Sequence, residues 1–313
     1  MSPGTRPSEA AALRIGLDIG GTKTELVALD AAGGERLRRR AATPHGDYDS
    51  ALRELAAMVR AAEHELGEIA SVGIGLPGAL SPATGLVKNA YATPYNGKPL
   101  KADLEQLLGR GLRFENDANC FALSEAADGA ARGGRIVFGA ILGTGAGGGF
   151  VIDGRIVAGA NGIGGEWGHN PLPWMDPGEF PGPDCYCGRK GCIERFVSGP
   201  ALSADHEQRE GERLEPTVIA QRATAGDALC ARTLDRYVRR LSRALAHVIN
   251  LVDPDVIVVG GGLSRISRVV ESVPQIWTDF VYSDRVVTKL VRAMHGDASG
   301  VRGAARLWDA TRR

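Results

Sequence analysis

The sequence lacks any excess of charge: its 37 Lys and Arg residues equal its 37 Asp and Glu residues, for a formal net charge of zero. So balanced a chain has no general pull toward nucleic acid or an anionic membrane surface, and neither partner is expected. It also lacks an apolar run long enough to span a bilayer. Residues 1–12 lack the apolar core of a secretory leader and read as a loose, flexible tail. Cysteine is scarce and odd in number, five in all, and clustered rather than spread. That argues against a disulfide framework and for a reduced, cytoplasmic protein with a metal site.

Glycine is what the chain has in plenty, 43 of 313 residues, gathered in short runs behind apolar strands. Such runs let backbone approach a ligand closely. The length allows two modest domains, each with its own core.

The first strand, over 13–19, ends in Asp18-Ile19-Gly20-Gly21-Thr22-Lys23. Strands over 25–29 and up to about 41 follow. Strand, Gly-rich turn, strand is the layout of a phosphate hairpin. Backbone N–H groups of the turn can face an anion, Thr22 adds a hydroxyl, and Asp18 can hold a cation. A plain hairpin with a Gly turn is the other reading. The layout recurs: a strand over 135–142, then Gly143-Thr144-Gly145-Ala146-Gly147-Gly148-Gly149, then a strand over 150–152. Sliding one copy onto the other pairs Gly16 with Gly139, Gly20 with Gly143 and Asp30 with Asp153. Asp18 faces Ile141, so only the first copy offers a carboxylate. A duplicated lobe with a phosphate hairpin in each half suggests a nucleotide held between two domains. The Gly143-x-Gly145-x-x-Gly148 run also fits a dinucleotide fingerprint, but that needs a helix next. Here a β-hairpin with an Asp153-Gly154 turn follows.

Helical spacing is expected over 47–66, capped by Asp47 or Asp49, and over 101–108, 216–225, 227–251 and 299–311. Further strands are expected over 70–76, 112–114, 255–259 and 286–291, the third closed by Gly260-Gly261-Gly262. The polar stretch 81–99, carrying Asn89, Thr93 and Asn96, is long enough to suggest function. Asp117 follows a strand and opens a helix running to about residue 131. It is either an N-cap or a general base at a strand end.

The densest chemistry lies over 164–194. His169, Cys185, Cys187 and Cys192 offer four N/S donors, the set of a closed tetrahedral zinc site with no position open for water. A Cys185–Cys187 disulfide would close a strained ring. Cys120 and Cys230 stand apart and read as core. Glu166 and Glu194 flank the ligands, either as surface carboxylates or as side chains oriented by the metal.

Taken together, Asp18-Ile19-Gly20-Gly21-Thr22-Lys23, Leu142-Gly143-Thr144-Gly145, Gly165-Glu166-Trp167-Gly168-His169 and the C-x-C-G-x-x-G-C-x-E run resemble the ROK family of bacterial sugar kinases. The resemblance extends from about residue 13 to the end. Ser81-Pro82, Thr84-Gly85, Lys88-Asn89 and the run from Gly165 to Asp176 look most like fructokinases of the manno(fructo)kinase type. The stretch from Asn116 to Cys120 is also similar to N-acetylglucosamine kinases.

The resemblance implies an α/β fold of the actin-like, RNase H-like kind, with two lobes and the active site in the interdomain cleft. The lobes are expected at 13–120 plus 296–313 and at 121–295, the second carrying the zinc site. The implied reaction is ATP-dependent phosphorylation of a hexose at its 6-hydroxyl. Fructose comes first and mannose second, with N-acetylglucosamine or glucose as the alternative. Asp117 is the expected base. Expected sugar contacts are Gly78, Asn89, Asn116, Asp117, Glu166, His169 and Glu194. His169 would use one ring nitrogen for sugar and the other for zinc. Nucleotide contacts are expected at Gly20, Gly21, Thr22, Lys23, Gly143, Thr144, Gly145, Gly261 and Gly262. Zn²⁺ would sit on His169, Cys185, Cys187 and Cys192, and Mg²⁺ by Asp18. A homodimer is implied. Repressors of the same family carry an N-terminal helix-turn-helix; about a dozen residues precede the first strand here, which favours the kinase over the sugar sensor.

Overall fold

The computed structural model describes residues 13–43, 47–90 and 93–309. The expected tail over 1–12 and the expected helix end at 310–311 lie outside the described residues. The chain runs β1 (Arg14–Ile19), β2 (Lys23–Leu29), β3 (Glu35–Ala42), α1 (Tyr48–Leu66), β4 (Ser71–Leu76), β5 (Ala79–Leu80), β6 (Val87–Lys88), α2 (Leu100–Leu108), β7 (Arg113–Asn116) and α3 (Asp117–Ala127). It continues through β8 (Ile136–Leu142), β9 (Ala146–Ile152), β10 (Arg155–Ile156), α4 (Glu194–Val197), α5 (Gly199–Glu210), α6 (Pro216–Thr224) and α7 (Ala228–Val252). Then come β11 (Val256–Gly260), α8 (Ser267–Ile276), β12 (Lys289–Arg292) and α9 (Ser299–Arg306). Among the described residues no helix is long and apolar enough to cross a membrane.

Two compact units result. One comprises the chain through Ser124, Gly154–Gly164 and the residues from Ala298 on; the other comprises Glu125–Asp153 and Gly165–Asp297. The segment Gly154–Gly164 was expected in the other lobe. It joins the first unit because Lys88 Nζ donates to the Asn161 carbonyl at 2.7 Å.

In the first unit the sheet order is β3-β2-β1-β4-β7. Period-2 alternation serves both faces of β2. Leu26 and Ala28 join the large core with Leu55, Val59 and Ile74, while Val27 and Leu29 pack with Val301 and Ala305 of α9. Glycine lets α9 lie close. A Cβ on Gly73 would stand 1.9 Å from the Ala304 carbonyl oxygen, and one on Gly16 2.1 Å from that of Val301. Asp47 caps α1 by accepting from the Ser50 N–H at 2.9 Å.

The second unit repeats this plan, with sheet order β10-β9-β8-β11-β12. Both sheets join an antiparallel hairpin to a parallel strand beside its first member, so the glycine alignment marks a repeat of topology. The Asp153-Gly154 turn takes positive φ at both residues, 51° and 72°, as a tight hairpin requires. Helix α7, capped by Asp227, buries Leu234, Val238, Leu241 and Leu245 against Ile257 and Val259.

Several expectations change, the first being the strand expected over 150–152, which already begins at Ala146 because Gly147–Gly149 pair with β8. Helix α3 ends at Ala127, short of residue 131, because the buried Glu125 carboxylate takes the Ala130 N–H at 2.8 Å and turns the chain. The strand expected from 286 begins at Lys289. Helices α5 and α8 were not expected at all.

Candidate active site

In the first unit the β1–β2 turn is held from behind. The Gly20 N–H donates to Lys23 O at 2.9 Å, and Thr43 Oγ1 donates to Gly20 O at 2.7 Å. Thr22 and Lys23 are left exposed beside Gly21. Asp18, one step back on β1, has its carboxyl pushed up to about 7, first by burial and then by the charges of Asp117 and Glu25. A buried carboxyl whose proton affinity neighbouring carboxylates raise suits a cation, whose charge would replace the proton.

Four expected sugar residues of this unit converge. Asn116 Nδ2 donates to the Gly78 carbonyl at 3.0 Å, tying the end of β7 to the turn after β4. Gly78 sits at φ 80°, where a Cβ would meet Lys88 O at 2.2 Å and the Asn89 carbonyl carbon at 2.7 Å. Asn89 itself adopts φ 59° and is exposed. Capping of α3 falls to Asn116, whose Oδ1 accepts from Ala118 N at 2.9 Å and Asn119 N at 3.3 Å. Asp117 accepts from Ala118 N at 2.9 Å. The alternative reading of Asp117 as the cap is thus taken over by its neighbour. A carboxylate at the first turn of a helix is also favoured by the helix dipole.

In the second unit the β8–β9 turn is closed by Gly143 N–H to Gly145 O at 3.0 Å, and Gly143 O accepts the Gly199 N–H at 2.8 Å. Gly261, at φ 78°, lies so near β8 that a Cβ would be 2.4 Å from Leu142 O. These turns border a cavity of about 440 Å³ whose walls include Gly143, Thr144, Gly262, Ser203, Arg213 and Glu215. The last three were not foreseen. They come from α5 and the loop after it, which carry no motif.

The expected metal ligands are brought together. Donor atoms of His169, Cys185, Cys187 and Cys192 all lie within 4.8 Å of one another. Cys187 Sγ and Cys192 Sγ are 3.5 Å apart, and Cys185 Sγ is 3.7 Å from His169 Nδ1. Tetrahedral bonds of about 2.1–2.3 Å to one zinc ion put ligands about 3.4–3.8 Å apart, which these two pairs match, with the remaining donors within 4.8 Å. The thiols do not titrate alike. Burial raises both, but the Arg189 N–H and the neighbouring sulfurs bring Cys187 down to about 7, while those sulfurs push Cys192 up to about 12. Three thiolates this close need a cation between them.

Around this knot sit the two carboxylates. Glu194 is buried and its Oε2 accepts the Ala146 N–H at 3.0 Å, binding the knot to the β8–β9 turn. Gly145 permits this, since a Cβ there would be 2.6 Å from Glu194 Oε2. Glu166 immediately precedes the short 3-10 turn Trp167–His169. The outward ring nitrogen of His169, Nε2, is 3.0 Å from the hydroxyl of Tyr186, which the motif reading passed over.

The sequence model of the ROK family matches residues 14–311. The chain belongs to the ROK family. Within it, the N-acetyl-D-glucosamine kinase of Photobacterium profundum is 40% identical over 300 residues, covering 93% of this chain and 98% of that one. A crystal structure of a ROK hexokinase from Thermus thermophilus superposes with a TM-score of 0.83 at 31% identity, covering 94% and 96% of the two chains. A ROK-family glucokinase from Streptomyces griseus, solved with glucose and AMPPNP, gives 0.76 at 29% identity over 94% and 98%. The expected sugar kinase family and two-lobe α/β fold hold. The expected substrate does not fare as well: relatives named for N-acetylglucosamine support the alternative over fructose.

Proposed function

We propose that this ROK protein is an ATP-dependent N-acetyl-D-glucosamine kinase acting on the sugar's 6-hydroxyl. The observation that carries the substrate is identity to N-acetyl-D-glucosamine kinases along nearly the whole chain. In this reading Asp117 accepts the hydroxyl proton as the oxygen attacks the γ-phosphoryl group. Asn116, locked to Gly78 O, holds the strand end from which Asp117 projects. Gly78 and Asn89 complete the first unit's sugar contacts, and Glu166, His169 and Glu194 are those of the second.

The exposed Thr22 and Lys23, with the Gly20 and Gly21 backbone, serve the phosphates, as do Gly143, Thr144 and Gly145. The cavity edged by Gly262, beside Gly261, takes the nucleoside. Asp18 is the residue that would hold Mg²⁺, which neutralises phosphate charge. The four N/S ligands would hold zinc, which supplies rigidity and no reacting atom. The protein is further proposed to act in the cytoplasm as a homodimer, which sedimentation would test.

The test is a coupled ADP-release assay over N-acetylglucosamine, glucose, fructose and mannose. The expected result is the highest kcat/KM with N-acetylglucosamine. Preference for fructose would restore the first expectation, and turnover of none would remove the kinase reading. Glucose is the second reading, favoured by likeness to a glucokinase solved with that sugar.

A further inference from the structure

Tyr186 stands between Cys185 and Cys187, two of the four candidate metal ligands, and its side chain is 65% exposed. Its ring meets the His169 imidazole edge-on, at 5.2 Å between centroids and 89° between planes. Its hydroxyl is 3.0 Å from Nε2. The phenol therefore sits directly against His169, one of the three residues that the proposed function assigns to the sugar in this unit.

The chemistry of these groups is not uniform. Ionised carboxylates only accept hydrogen bonds, so Glu166 and Glu194 match sugar hydroxyls as donors. His169 turns Nδ1 toward Cys185; with Nδ1 given to a metal, Nε2 would be the nitrogen left to carry the proton and donate. Its fitting partner is an acceptor oxygen. Beside that donor, the ring of Tyr186 offers an apolar face. An acetamido group presents this pair, a carbonyl oxygen next to a methyl, whereas a plain hexose offers only another hydroxyl at the same carbon.

We propose that Tyr186 is a specificity residue of the sugar site. In the free protein its hydroxyl caps His169 Nε2. On binding, the sugar takes over Nε2 and the ring packs on the 2-acetamido group. This rests on the sugar-kinase reading above and adds to it the group that discriminates between substrates.

The wild type, Tyr186→Gly and Tyr186→Phe are compared with N-acetylglucosamine and with glucose, by kcat/KM and by calorimetric sugar binding without ATP. Tyr186→Gly is expected to lower kcat/KM for N-acetylglucosamine about tenfold, the usual worth of one apolar group in a pocket, through KM rather than kcat. Glucose and the KM for ATP should stay within about twofold, so the preference between sugars collapses. Tyr186→Phe keeps the ring and removes the competing hydroxyl. It should retain the preference and bind both sugars more tightly. If the glycine variant melts early or loses metal, Tyr186→Ser, which keeps a Cβ, replaces it. An unchanged ratio of the two sugars in the ring-less variant overturns the assignment. A wild type that turns over N-acetylglucosamine with that unchanged ratio sinks this inference alone. A wild type that turns over neither sugar sinks the function reading as well.

Discussion

Asn116→Ala should separate the scaffold of the site from its chemistry. Asn116 makes two kinds of contact: Oδ1 caps α3 through the Ala118 and Asn119 N–H groups, and Nδ2 holds the Gly78 carbonyl. Losing an Asn cap costs about 0.5–2 kcal/mol. Losing a part-buried hydrogen bond to a carbonyl costs about 0.5–1.5 kcal/mol. The sum is about 1–3.5 kcal/mol, read as a lower urea midpoint at unchanged slope. Hydrogen exchange at the Ala118 and Asn119 amides should rise with it. Asn116→Asp keeps the acceptor and loses the donor, so it should recover the cap's share. It also places another charge beside Asp117 and should weaken sugar binding. A loss under about 0.5 kcal/mol in Asn116→Ala, with those amides still protected, would refute the capping role.

Three further outcomes are expected. Gly73→Ala pushes a methyl into the Ala304 carbonyl and should cost about 1–3 kcal/mol, seen as an earlier thermal unfolding; an unchanged melt would mean that α9 shifts freely. Protein purified without chelator should contain one zinc per chain by metal analysis, and stripping it should raise the KM for sugar before that for ATP; loss of ATP binding first would contradict the assignment of the knot to the sugar wall. Asp18, raised to about 7, favours the folded state fully only below its ordinary value of 3.8, and that contribution is lost as pH rises through about 7. Mg²⁺ should therefore raise the melting temperature above pH 7 and do little below pH 6, and the reverse order would exclude Asp18 from cation binding.

Much of the site was legible because its chemistry needs rare residues in fixed order. Three cysteines and a histidine around Glu166 and Glu194 announce a ligand knot, and the glycine alignment of the two hairpins announces the repeated sheet. Helix α7 was legible from its apolar stripe. Helix α5 was not: it begins Gly199-Pro200 and buries Ser203 and His206, the latter held by Thr233 Oγ1 at 2.8 Å. Its burial depends on a partner 27 positions away, which no local period can show. The cavity residues Arg213 and Glu215 follow from it and were missed for the same reason. Helix α8 was obscured by Pro274 within it. Tyr186 sat inside a recognised motif as a filler position, and only the hydroxyl's approach to His169 drew it out.

The most direct test of Asp117 as the base is turnover by Asp117→Asn with N-acetylglucosamine and ATP, alongside calorimetric sugar binding. Removing a general base costs about 10²- to 10⁴-fold. We predict a fall of that size in kcat with sugar affinity kept within about threefold, because the amide preserves the side chain's shape. Near-normal kcat with sugar still bound would contradict it.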